Sequence, residues 1–311
     1  MIYYQKYNDL LSKKKDRKLK VQTALIIGVG YVGIRLIKKF AALGFNIYGS
    51  SRNKERLDKL NNLNIIPINW DKQIIEYIDK NNIQPDFIIS TVPPDKNGND
   101  PILEILHGYL DKFDGWIGYI SSTSVYGGIN GVYINEKSKC NPNTQRGQRR
   151  LSIEVSWQNL GAEIFRVSGI YGEYRSPFEK LYSPDTILIN KTKHLFNRIH
   201  VDDLVEIITS STLKPETRRI VNVADGNPSS QIDFFKEASR IANTAMPKVH
   251  NYNEVEMSDF KKSFWKDWRF IKPDVALNEL KYKFIYPDYK SGLKAIWDLE
   301  KKRYSLSAKN S

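Results

Sequence analysis

The chain has 311 residues, 41% of them hydrophobic, and 48 Lys and Arg against 35 Asp and Glu give it a formal charge of +13. That apolar content supports one large or two modest cores and excludes a low-complexity or disordered chain. No apolar run reaches the roughly 18 residues that a bilayer span needs, and the charged N-terminus lacks the apolar segment of a secretory signal, so a cytoplasmic protein is expected.

Residues 1–20 hold seven Lys or Arg against two Asp and read as a flexible basic extension, and Lys301, Lys302, Arg303 and Lys309 make the other end basic as well. No helix-turn-helix, zinc finger or aromatic RNA platform accompanies this charge, so nucleic-acid binding is not expected. The apolar run Ala24-Leu25-Ile26-Ile27 leads into Gly28-Val29-Gly30-Tyr31-Val32-Gly33 and then a helix-like stretch. Strand, glycine turn and helix in that order form a dinucleotide-binding signature. Gly28 permits the sharp turn, Gly30 leaves room for a pyrophosphate, and Gly33 lets helix and strand pack closely, with Tyr31 and Val32 between them at the helix start.

Further strands are expected at 24–28, 46–50, 65–68, 87–91, 118–122 and 163–166, short and apolar as buried parallel strands should be. Helices are expected at 31–43, 54–61, 72–81, 101–113 and 146–159. An NAD site usually carries an acid about 20 residues beyond the glycine turn. Here the positions hold Ser50, Ser51 and Arg52, followed by Lys54 and Arg56. Hydroxyls and a guanidinium would bind a 2'-phosphate, so NADP is favoured over NAD. Asp71, after the third strand, would accept a hydrogen bond from adenine or cap the next helix. The fold class that follows is α/β: a Rossmann-like, doubly wound parallel sheet over 21–166, and a smaller C-terminal α+β substrate lobe over 167–311.

In that lobe strands near 167–171 and 220–224 are candidates to rejoin the sheet, and the clearest helices are 202–213, 230–243 and 291–302. Ser230 and Asp233 are placed like a capping box, and Asp202 reads as the cap of its helix. His200 reads as an anchor between the lobes. Phe264, Trp265, Trp268 and Phe270 read first as core, with a pocket lining as the alternative. The single cysteine and four scattered histidines offer no disulfide and no metal site.

The segment Tyr119-Ile120-Ser121-Ser122-Thr123-Ser124-Val125-Tyr126-Gly127 resembles the SSxxVYG signature of the extended short-chain dehydrogenase/reductases, the group that includes nucleoside-diphosphate-sugar epimerases and dehydratases. The likeness continues through Pro142, Glu154, Arg166 to Gly172, Arg198 to Asp203 and Val221 to Ala224, and so covers most of residues 21–295. It implies that Ser122 hydrogen-bonds the substrate oxygen and that Thr91, Val92 and Pro93 lie beside the cofactor. It also places the family's YxxxK pair at Arg146 and Arg150. An arginine stays protonated and presents donors only, so it cannot act as the tyrosine does. Arg150 could still hold the nicotinamide ribose, and Arg146 an anionic substrate. The run Arg146-Gly147-Gln148-Arg149-Arg150 resembles an atypical bacterial branch of epimerase-like proteins in which the tyrosine is likewise missing. Tyr133 and Lys137 match YxxxK only as a pattern, on a loop, and Tyr126 reads as packing.

Two functions stay open. One is an NAD(P)-dependent oxidoreductase or epimerase/dehydratase-like enzyme acting on a small polar substrate, with a nucleotide sugar as one option. The other is a dinucleotide-binding sensor or scaffold without turnover. Ser122 in its matching frame favours the first. The family commonly pairs through helices, which makes a homodimer an option.

Overall fold

The computed structural model describes residues 21–61, 65–68, 74–128 and 130–307. Asp71 and the basic extension at 1–20 lie outside the described residues. Five strands build the first half: β1 (Thr23–Ile27), β2 (Asn46–Ser50), β3 (Ile66–Ile68), β4 (Phe87–Ser90) and β5 (Trp116–Ser122). Between them run α1 (Gly33–Ala42), α2 (Lys54–Asn61), α3 (Ile74–Lys80) and α4 (Pro101–Leu110). A short strand β6 (Tyr133–Ile134) and the helix α5 (Gln145–Asn159) lead to β7 (Glu163–Val167).

With β11 (Ile220–Val223), six of these strands form one seven-stranded sheet in the order β11-β7-β5-β4-β1-β2-β3, every pairing parallel. Alternate residues feed opposite faces. Ala24, Ile26, Phe87, Ile89 and Phe165 pack into one core, and Leu25, Ile27, Ile88, Ile117 and Ile164 into the other. A strand buried on both faces needs apolar residues throughout, which is why these strands read as continuous hydrophobic runs. The first core takes Leu36, Ile37 and Phe40 of α1 together with Leu204, Ile207 and Ile208 of α7 (Val201–Leu213), so a helix from the second half covers the first half's sheet.

Of the two segments considered for rejoining the sheet, only the second does so. β8 (Gly169–Tyr171) instead pairs with β10 (Arg198–His200) in a separate two-stranded ribbon. A third core lies in the C-terminal lobe, where Phe178 of α6 (Phe178–Leu181), Leu188 of β9 (Ile187–Asn190) and Phe234 and Phe235 of α8 (Gln231–Ala242) meet. Ser230 caps α8 by accepting from the Asp233 amide at 2.9 Å, as the spacing suggested.

The cap of α7 differs from expectation. His200 Nδ1 accepts from the Asp202 amide at 3.2 Å, so the histidine is the cap and Asp202 lies in the first turn. His200 is 4% exposed and packs on Tyr171 and Tyr286, contacts within the second lobe and not the link between lobes its position suggested. Asp203 is the acceptor that ties the C-terminal segment down, taking hydrogen bonds from Tyr282 Oη and the amides of Ile285 and Tyr286. Among the described residues no helix is long and apolar enough to cross a membrane.

Candidate active site

The glycine turn shows three different reasons for its three glycines. Gly28 sits at φ +93°, and a side chain there would press on Val92 and Thr91. At Gly33 a Cβ would stand 2.3 Å from the Gly28 carbonyl oxygen, so helix and turn could not approach as they do. Gly30 is another matter: a Cβ there meets nothing nearer than Arg56 Nη1 at 4.0 Å. The protein's own packing therefore does not require glycine at 30, and the open space above it is what a diphosphate would need. α1 begins beside that space with Val32 as N-cap, no side chain capping it and no acid in its first turn, which leaves the positive end of the helix available to an anion.

Thr91 closes the floor by donating to the Gly28 carbonyl at 2.5 Å. Tyr31 Oη donates to the Glu173 carbonyl at 2.9 Å, and the Arg35 guanidinium lies 4.0 Å over its ring; burial pushes the phenol up to about 12. Tyr31 thus joins the glycine turn to the second lobe. Val92 is 6% exposed and belongs to the core beneath, so it supports the site without facing it. Ser51 is also turned inward: its Oγ accepts from the Asn53 amide at 3.1 Å at the start of α2. Arg52 is exposed at the same strand end.

A cavity of about 960 Å³ opens over this turn. Gly30, Tyr31, Val32, Thr91 and Pro93 form one wall, and Ser122, Arg146 and Arg150 line the same cavity. The structure therefore brings together the glycine turn, the strand-end serine and the two arginines that sequence alone placed far apart. Ser122 Oγ accepts from the Ser124 amide at 3.2 Å and so caps the 3-10 turn Thr123–Tyr126; its own O–H remains available as a donor to the cavity.

Positions 146, 150 and 154 lie one turn apart on the inner face of α5. Glu154 is fully buried, takes Arg166 at 2.9 and 2.5 Å, and accepts from Ser121 Oγ at 2.6 Å. This pair pins the helix to β5 and β7. Arg166 also lies 4.7 Å over the ring of Tyr126, whose hydroxyl donates to Asn222 at 2.7 Å; burial raises that phenol to about 12. Tyr126 is a packing residue, as expected.

One turn earlier, Arg150 Nη1 donates to Tyr119 Oη at 3.0 Å, and Tyr119 stacks on Trp157 with ring centroids 5.0 Å apart. Arg146 lies 4.1 Å over the Phe264 ring, and its buried Nε has no hydrogen-bond partner. Burial, then the charges of Arg150 and Arg269, lower its pKa from the ordinary arginine value. Among the described residues neither Arg146 nor Arg150 forms an ion pair with a carboxylate. Such a wall is built to meet an anion or an electron-rich oxygen.

Several cavity residues were not legible in the sequence as site residues. Arg175 and Arg269 reach the cavity from loops, and Arg198 from β10. Arg269 had one signal, its place in the aromatic run at 264–270, and Arg198 lay in a segment of the family resemblance with no role assigned. That run divides: Trp265 is 6% exposed and packs with His194 and Phe196, whereas Phe264 and Trp268 line the cavity. Tyr133 is 64% exposed and stacked on Phe270, away from any shared helix face with Lys137.

No protein-family model matches the chain. It is 24% identical over 280 residues to Protein YeeZ of Escherichia coli (strain K12), covering 85% of this chain and 96% of that one. A functionally unknown conserved protein from Silicibacter pomeroyi DSS superimposes with a TM-score of 0.80 at 27% identity, over 89% of this chain and 99% of that one. The dTDP-glucose 4,6-dehydratase of Bacillus anthracis str. Ames, solved in complex with NAD, gives a TM-score of 0.74 at 15% identity, over 92% and 98%. By these superpositions this chain has the fold of the extended short-chain dehydrogenase/reductases.

Proposed function

We propose that the protein binds NADP or NAD over residues 28–33 and carries out a redox step, in the manner of an epimerase or dehydratase, on a small anionic substrate such as a nucleotide sugar. One observation carries this reading: Ser122, Arg146 and Arg150 line the same cavity as the open space above Gly30. The dehydratase that shares the fold was solved with NAD, which supports a nicotinamide cofactor in this cavity. Ser50, Ser51 and Arg52 stand at the end of β2 where an NAD site usually carries an acid, and this favours the 2'-phosphate of NADP.

The dinucleotide would lie in the open space over Gly30, held by the uncapped N-terminus of α1 and by Thr91, and when bound it supplies a hydride acceptor or donor. The chain's residues do the rest. Ser122 donates its O–H to the substrate oxygen and orients it. Arg146 and Arg150 present fixed N–H groups to negative charge on that oxygen or on a neighbouring anionic group. Neither arginine gives up a proton at neutral pH, so proton exchange at the substrate oxygen falls to Ser122 and to water. Such a site favours substrates whose reacting oxygen is already acidic, or steps in which charge builds up and is held.

The test is a panel in two arms: nucleotide sugars incubated with protein and NADP+ or NAD+, with product formation followed by NMR, and keto sugars incubated with protein and NADPH or NADH, with oxidation read by fluorescence. Turnover that Ser122→Ala reduces by about 10²-fold or more supports the reading. Tight dinucleotide binding without hydride transfer to any member would favour a sensor or scaffold instead.

A further inference from the structure

A second recess, of about 1080 Å³, adjoins the cavity over the glycine turn, and Pro93, Arg146, Arg150 and Ser263 line both. Its walls are the loop after β4 (93–98), the first turns of α5, Lys191, and the segment from Tyr252 to Lys266. Seven of its lining side chains are Lys or Arg and two are Asp. Among the described residues none of the seven is in an ion pair with a carboxylate.

What anchors them is neutral. Arg149 donates to the Lys96 carbonyl at 3.3 Å, its stem lying where a side chain on Gly98 would otherwise stand. Lys266 donates to the Asn143 carbonyl at 3.1 Å. Lys191 donates to the Trp265 carbonyl and lies 4.5 Å over the Tyr252 ring. Of the two carboxylates, Asp95 is already taken up by the amides of Asn97 and Asn99 at 2.8 and 2.9 Å. Cations from three separate segments are thus oriented around one recess by carbonyls and a ring and not by ion pairs.

The geometry points to a second anion subsite here, holding a phosphate or diphosphate group at the far end of the substrate whose reacting end lies beside Ser122. The subsite builds on the proposed redox function and gives its substrate a charged group set apart from the reacting oxygen. A recess of small-molecule size, walled by three segments, suits a phosphorylated metabolite better than a nucleic-acid strand.

The experiment is calorimetric titration of sodium pyrophosphate into the full chain presaturated with NADPH, beside a separate titration of NADPH alone. The second titration reports on the cofactor reading by itself, so failure of either is seen separately. Saturable pyrophosphate binding is expected, weakened about tenfold or more in the Arg149→Gln/Lys266→Gln double variant. Lys236→Gln, an exposed lysine on α8, should leave it unchanged. If the double variant does not fold, the exposed Lys262→Gln takes its place, with a smaller loss expected in the same direction. Absence of binding to the wild type, equal affinity in the variants, or tighter binding of a single-stranded RNA oligomer through the same residues would overturn the proposal.

Discussion

The two walls of the cavity work by different means. On one side the glycine turn offers backbone N–H groups, empty space and a helix end. On the other, α5 and the C-terminal loops offer guanidinium groups on long side chains. The first wall is determined by what is missing from a few residues, and the second by where distant residues meet. A backbone site is therefore written locally in the sequence, whereas a side-chain site is assembled by the fold.

The largest expected effect is on the arginine wall. Glu154→Ala leaves Arg166 buried without its partner and should cost about 3–5 kcal/mol, read by urea unfolding. A loss under about 1 kcal/mol would mean that α5 is not held to the sheet by this pair.

On the backbone wall, Gly33→Ala drives a Cβ against the Gly28 carbonyl and should cost about 1–3 kcal/mol, with dinucleotide affinity falling alongside. Unchanged stability would show that turn and helix separate easily. Ser122→Ala removes a cap from the 3-10 turn and should cost about 1 kcal/mol, while dinucleotide binding persists.

The smallest effect concerns pH and sets buried groups of the second lobe against each other. Burial holds His194 and His200 down at about 4 and pushes Asp203 and Asp225 up to about 6 and about 7. Between pH 4 and 6.5 the unfolded chain carries protons on the histidines that the folded chain lacks, so their contribution falls as the pH drops. The aspartates act oppositely, because there it is the folded chain that holds the extra protons. Asp225→Asn removes one of the opposing groups, and its melting temperature should therefore fall more steeply than the wild type's from pH 6.5 to 4.5. Parallel curves would contradict this assignment.

Much of the first wall could be read in advance. The order of apolar strand, Gly28, Gly30, Gly33 and amphipathic helix gave fold and turn together, and strands buried on both faces announced themselves as unbroken apolar runs. Ser122, Arg146 and Arg150 could be placed through the family resemblance, which matches a strand-end serine and the stretch between Pro142 and Glu154. Arg269 could not, since it reaches the cavity only through long-range packing of a loop with no period of its own, and Phe264 was offered only as the alternative to a core residue. The cap of α7 was misjudged because a histidine took the role usually given to an aspartate, and Asp203, one residue on, turned out to be the buried anchor. Ser51 faced inward because helix α2 needed its hydroxyl at Asn53.

The central claim is that the space over Gly30 is kept for a dinucleotide. Calorimetric titration of NADPH and NADH into wild type and Gly30→Val tests it directly. Saturable binding by the wild type, lost by at least about tenfold in a variant that melts at the same temperature, is the predicted result. Binding that is equal in the two proteins, or absent from a well-folded wild type, would contradict it.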